Sequence, residues 1–149
     1  MPRVEPIRVL FLCTGNSCRS QMSEGWARAL LGDRVEAYSA GTRPQGLNPL
    51  AVRVMREAGV DISRYESKPL DSLRGVEFDF VITVCDSARE SCPAFPAAAR
   101  VVHQSFDDPP RLAIGARIDD EALPHYRRVR DEIREFVQRL PQIWKGVRL

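Results

Sequence analysis

Two hydrophobic rhythms alternate along the chain and lay out its elements. Ile7-Arg8-Val9-Leu10-Phe11-Leu12, Val35-Glu36-Ala37-Tyr38-Ser39-Ala40 and Phe78-Asp79-Phe80-Val81-Ile82-Thr83-Val84 are short runs rich in apolar, β-branched and aromatic residues, the make-up of strands. The third is nearly continuous, as expected of a strand buried on both faces of a parallel sheet. A shorter fourth run is Arg100-Val101-Val102-His103. The helical rhythm fills the intervals. Met22, Trp26 and Ala29 or Leu30 share one stripe that Gly32 can cap. Asn48 as N-cap and Pro49 at the first position open a helix with Ala51, Val54, Met55 and Ala58 on its apolar face. Ala122, Tyr126, Val129, Ile133, Phe136, Val137, Leu140 and Trp144 recur at three or four residues in a last helix. Strands alternating with helices predict an α/β fold, a three-layer sandwich around a four-stranded parallel sheet with right-handed crossovers. No repeat, low-complexity tract or linker interrupts the pattern, so residues 1–149 are expected to form a single domain.

The bulk composition narrows the function classes. A hydrophobic fraction of 44% and a charged fraction of 28% are those of an ordinary globular chain. Twenty-two Lys and Arg against 20 Asp and Glu leave a formal charge of +2. The late arginines alternate with Asp119, Asp120, Glu121, Asp131, Glu132 and Glu135, a solvated helix face rather than a basic stripe for nucleic acid. Met1 to Pro6 has no apolar leader region, and no run approaches the roughly 20 apolar residues of a membrane span. A cytoplasmic protein without nucleic-acid or membrane partners is expected. In that compartment thiols stay reduced, so four cysteines point to catalysis or metal binding rather than to staples. His103 and His125 stand alone in the sequence and are read as packing or surface residues.

Two of the cysteines end strand runs. Cys13 follows the first and Cys85 the third, so both are expected at the carboxyl edge of the sheet, where such folds bind ligands. Cys13-Thr14-Gly15-Asn16-Ser17-Cys18-Arg19 has the Cys-x5-Arg spacing of thiol-based phosphatases. A loop of that length can curl its N–H groups around a tetrahedral oxyanion, with the next helix aiming its positive end at the same point. Gly15 and Asn16 tolerate the left-handed dihedrals of such a nest. Arg19 can grip two oxygens with its planar fork, and Ser20 can donate its hydroxyl to the sulfur. The same donors are expected to lower the Cys13 pKa and make it reactive. Cys18, inside the loop, fits packing or redox chemistry equally.

Asp107 and Asp108, just after the fourth strand, fit either a proton donor for a leaving oxygen or plain Asp-Pro turn chemistry. Cys85 and Cys92 are seven residues apart. Were the segment helical, their Cα atoms would lie about 10 Å apart, against the roughly 4.4–6.8 Å that a disulfide needs. Closing that bridge requires local unwinding, which describes a redox switch better than a static staple. The spacing also lacks a Cys-x2–4-Cys zinc knuckle.

The residues 13–26, CTGNSCRSQMSEGW, resemble the signature of thioredoxin-coupled arsenate reductases, which share the fold of low-molecular-weight protein tyrosine phosphatases. The likeness continues in Tyr38-Ser39-Ala40-Gly41, Val84-Cys85 with Cys92-Pro93, Phe106-Asp107-Asp108-Pro109 and Arg128-Val129-Arg130-Asp131-Glu132-Ile133. The resemblance implies arsenate reduction for arsenic detoxification, with Cys13 as nucleophile, Cys85 and Cys92 as resolving thiols, Arg19 as anion grip and Asp108 as general acid. Thr14, Gly15, Asn16, Ser17, Cys18, Arg19 and Ser20 would bind arsenate, with phosphate or sulfate competing. It implies electrons from reduced thioredoxin, no bound cofactor or metal, and a monomer. Some such reductases hold potassium through residues matching Asn16, Glu24, Ser39 and an aspartate. Lys68 stands at the aspartate's position and is expected to replace the ion. The alternative is a phosphotyrosine phosphatase working through a phosphocysteine, but hydrolysis has no use for the Cys85 and Cys92 pair, and Pro110 and Arg111 stand where such phosphatases commonly carry an aromatic after Asp-Pro. A non-catalytic oxyanion-binding or thiol-sensing module ranks last.

Overall fold

The computed structural model describes residues 5–85 and 100–145. Four parallel strands, β1 (Ile7–Cys13), β2 (Val35–Gly41), β3 (Phe80–Thr83) and β4 (Arg100–His103), form one sheet in the order β2-β1-β3-β4. Val9 to Leu12 are fully buried, and their side chains divide between the two faces. Val9, Phe11 and Cys13 pack with the larger cluster, which includes Met22, Trp26, Met55, Ile133 and Phe136 from the helices. Leu10 and Leu12 pack on the other face with Ala40, Phe78 and Val81, beside a 3-10 turn at Leu70–Leu73. Burying each such side chain contributes about 1.5–3 kcal/mol, so β1 is the most committed element of the fold.

The helices are α1 (Arg19–Leu31), α2 (Pro49–Glu57), α3 (Pro109–Leu112) and α4 (Asp119–Lys145). α1 ends at Gly32, whose φ of 52° is in the left-handed region. α2 begins where the Asn48 side-chain oxygen accepts from Leu50 N at 2.8 Å and Ala51 N at 3.2 Å. α4 opens on Asp119, Asp120 and Glu121, acids that suit the positive end of the helix. It is clamped to α1 by Trp26 Nε1 donating to Arg130 O at 3.1 Å. Glu57 ties it to α2 through Arg127 and Arg130. Pairing in the third strand starts at Phe80 rather than Phe78. The Asp79 carboxylate takes the Arg8 N–H at 2.9 Å, so a side chain occupies the donor that a ladder carbonyl would use. No helix among the described residues is long and apolar enough to cross a membrane.

The order β2-β1-β3-β4 makes the chain leave β1 to one side for β2 and return across it to β3. The boundary between β1 and β3 is therefore the switch point, where a crevice opens beyond the carboxyl ends. Cys13 closes β1 at that point.

Candidate active site

Residues 14–18 arc from the end of β1 to the start of α1, and neighbouring segments hold the arc from outside. Arg43 N donates to Thr14 O and Gln45 N to Gly15 O, each at 2.9 Å, and Asn48 N donates to Ser17 O at 3.0 Å. Ser67 Oγ adds a second bond to Gly15 O at 3.0 Å, and Gln21 Nε2 reaches Asn16 O at 3.0 Å. In a trans peptide the N–H points away from the C=O. With the carbonyls drawn outward, the amides face in. Asn16 has φ of 45°, the left-handed step of the nest. Gly15 does not share it. Its missing side chain instead makes room for Gln45, whose Oε1 lies 2.9 Å from where a Gly15 Cβ would stand. Gly41, paired with Cys13 across β1 and β2, lets the loop lie on the sheet: a Cβ there would meet Thr14 O at 2.5 Å and Asn16 N at 2.9 Å.

Beneath the loop is a fully bonded polar layer. Asn16 Nδ2 donates to Ser20 Oγ at 2.9 Å, and Asn16 Oδ1 accepts from Lys68 N at 2.9 Å and Gln21 Nε2 at 3.1 Å. Ser39 Oγ donates to one Glu24 oxygen at 2.7 Å, and Arg28 Nη2 is 2.8 Å from the other. The sequence predicts Lys68 in place of the ion here. Its Nζ instead donates to Glu66 O at 3.1 Å, and the charge beside Glu24 is Arg28, one helical turn further along α1. The Glu24 carboxylate and Asn16 Oδ1 thus each accept from protein donors.

Arg19 begins α1 with its side chain 4% exposed. Its Nη1 donates to Phe106 O at 3.1 Å, and its Nη2 is 3.7 Å from Asp108 Oδ1. The guanidinium is therefore oriented from behind before any anion arrives. The two neighbouring aspartates part company. Asp108 lines the same cavity as Cys13 and Arg19, whereas Asp107 turns outward to Arg128 Nη2 at 2.9 Å. That cavity, about 170 Å³, covers residues 13–19, with Gln45, Asp108 and Pro110 on its rim.

Cys13, Cys18 and Cys85 are buried thiols. Burial, reinforced by the Asp108 charge, pushes the Cys18 thiol far above its ordinary range. It stays protonated and packs in the core. Cys85 lies two residues past the end of β3, and its Sγ is 4.0 Å from the carbonyl oxygen of Leu12, the residue before Cys13. Val84 N donates to that same oxygen at 3.1 Å. Neighbouring strands run about 4.8 Å apart, so Cys85 starts one strand's width from β1 at the carboxyl edge. Cys92, with the switch segment read between Cys85 and Pro93, lies outside the described residues.

The residues that the sequence did not single out are Gln45, which reaches the cavity, and the main-chain donors of residues 43 to 48. Backbone N–H groups leave no side-chain signature. Asn48 left one, as a helix cap, but its second bond, from Nδ2 to Tyr126 Oη at 3.1 Å, crosses 78 residues.

A thiol at the mouth of an inward-facing amide nest, an arginine six residues on and a carboxylate on the rim define an enzyme class: cysteine-nucleophile catalysts of tetrahedral oxyanions. Residues 8–145 match the low molecular weight phosphotyrosine protein phosphatase family, and the chain belongs to it. Within that family it is similar to the arsenate reductase of Bacillus licheniformis, with 48% identity over 134 residues, covering 90% of this chain and 94% of the relative. Its fold is similar to a solved arsenate reductase in the phosphate-binding state, with a TM-score of 0.72 and 29% identity over 90% of this chain and 95% of that one. A thioredoxin-dependent arsenate reductase of Corynebacterium glutamicum aligns with a TM-score of 0.64 and 27% identity, over 96% of this chain and 62% of that one.

Proposed function

We propose that this protein reduces arsenate to arsenite by a relay of three thiols, Cys13, Cys85 and Cys92, recycled by thioredoxin. The observation that carries the reading is a further buried thiol, Cys85, just past the strand beside the nucleophile's own. Hydrolysis has no use for it. The likeness to arsenate reductases supports the same reading, and the thioredoxin-dependent relative supports the electron donor. Such thiol chemistry belongs in a reducing compartment, the cytoplasm.

Arsenate enters the nest with its basal oxygens on the loop amides and the Arg19 fork. Thiolate is favoured at Cys13 by the same donors and by the start of α1. The Cys13 sulfur attacks arsenic, an As–S bond forms, and one arsenic–oxygen bond breaks. Asp108, beside a doubly negative anion, carries the proton that turns the departing oxygen into water. Ser20, whose Oγ accepts from Asn16, keeps its own proton to donate to the sulfur. Cys85 then attacks the Cys13 sulfur. The As–S electron pair passes to arsenic, As(V) becomes As(III), arsenite leaves, and a Cys13–Cys85 disulfide remains. Cys92 attacks Cys85, frees Cys13 as thiolate and leaves Cys85–Cys92 for the thioredoxin dithiol to reduce. Two electrons move, and each thiol step is ordinary exchange.

Replacing Cys85 by Ser tests this against the hydrolase reading. With thioredoxin, thioredoxin reductase and NADPH, arsenate-dependent turnover should be abolished, while slow hydrolysis of p-nitrophenyl phosphate survives because the nest, Arg19 and Asp108 are intact. Equal turnover by the variant would overturn the relay. No resident cofactor takes part. Since Glu24 and Asn16 already have protein partners, exchanging sodium for potassium should leave both rate and melting temperature unchanged.

A further inference from the structure

Among the described residues, three side chains from outside the loop reach the oxyanion cavity, and Gln45 is the one whose chemistry the reaction above leaves unused. Its position is set by its own backbone. Gln45 N donates to Gly15 O at 2.9 Å, and Arg43 N makes the equivalent bond to Thr14 O two residues earlier. The segment is thus pinned along the outer side of the nest, and the side chain folds back over it. A Cβ on Gly15 would stand 2.9 Å from Gln45 Oε1 and 3.1 Å from its Cδ. The carboxamide therefore rests against the loop backbone, in the space that glycine leaves open, at the rim that also carries Asp108 and Pro110.

The basal oxygens of a tetrahedral anion are served by the loop amides and Arg19. The apical oxygen faces the rim. In arsenate that oxygen is a hydroxyl, which can both donate and accept. In an aryl phosphate it is an ester oxygen with no proton and a ring attached. A carboxamide offers both a donor and an acceptor, so it matches the first and obstructs the second. Among the described residues the rim holds no aromatic to stack the ring. We propose that Gln45 is a specificity-determining residue, which hydrogen-bonds the apical hydroxyl of a small inorganic oxyanion and occupies the space an aryl group needs. This rests on the arsenate reading above and adds to it the means of discrimination.

The test compares wild type, Gln45→Ala and Gln45→Glu. The side chain is exposed and the pinning bond is main-chain, so these variants keep the fold, which thermal melting checks. For Gln45→Ala, KM for arsenate should rise about three- to tenfold, as expected for loss of a neutral hydrogen bond, with kcat within about twofold. Turnover of p-nitrophenyl phosphate should improve in the same variant. The ratio of kcat/KM for arsenate to that for p-nitrophenyl phosphate should therefore fall by at least threefold; a smaller fall overturns the proposal. Gln45→Glu keeps the size but sets a negative charge against the anion, and should raise the inhibition constant of inorganic phosphate by about tenfold or more. An unchanged constant also overturns it. Should wild type fail to reduce arsenate at all, the arsenate reading falls, while the phosphate constants still decide the role of Gln45.

Discussion

At the scale of single residues, the site depends on atoms that are missing as much as on those present. Gly41 has no Cβ where one would touch Thr14 O at 2.5 Å. A Gly41→Ala protein must push the loop off the sheet by a large fraction of an ångström, and misplacement of that order costs about 100-fold in rate. Arsenate turnover of Gly41→Ala should fall accordingly, with phosphate affinity falling alongside. Cys18 shows a different single-residue effect. Its thiol keeps its proton in the fold at pH values where an unfolded thiol, near 8.5, loses it. The unfolded state thus binds fewer protons there, and unfolding free energy from this group declines as pH rises above about 8.5. Denaturant melts between pH 7 and 10 should show a steeper decline for wild type than for Cys18→Ala. In native protein at pH 8, iodoacetamide should modify Cys13 and spare Cys18; prompt labelling of Cys18 would contradict a buried, protonated thiol.

At the scale of elements, the loop's geometry comes from a brace, residues 43 to 48, that ends in the N-cap of α2. Asn48 serves three structures at once: its N–H holds Ser17 O, its Oδ1 caps α2, and its Nδ2 bonds Tyr126 on α4. Asn48→Ala should cost about 1 kcal/mol for the lost cap alone, and more with the Tyr126 bond gone. Asn48→Asp keeps the cap oxygen and should recover most of the cap's share, as comparison of the two melts will show. The cap was legible because Asn-Pro at a helix start is a side-chain signal. So were β1, β2 and β4, and the loop between Cys13 and Arg19. The brace was not, because it is made of main-chain donors far along the chain. Nor was the partner of Glu24. Motif position points to Lys68, while Arg28, at the i+4 spacing that pairs charges on a helix, holds the carboxylate. Gln45 escaped for a related reason: its role depends on a glycine 30 residues earlier that gives it room.

At the scale of the whole molecule, topology turns two distant cysteines into neighbours. Cys13 and Cys85 are 72 residues apart in sequence, yet β3 lies directly beside β1, with Leu12 opposite Thr83. The buried Trp26 and Ile133 hold α1 and α4 over that junction, so the Cys13 loop and the Cys85 thiol share one edge of the sheet. In the proposed relay the disulfide then passes from Cys85 to Cys92. The most direct measurement is a single turnover without reductant: enzyme is mixed with arsenate, free thiols are alkylated, and the disulfides are mapped by mass spectrometry. One arsenite per enzyme should appear with a Cys85–Cys92 bridge in wild type and a Cys13–Cys85 bridge in Cys92→Ser. Arsenite released while Cys85 remains an alkylatable thiol in both proteins would contradict the relay.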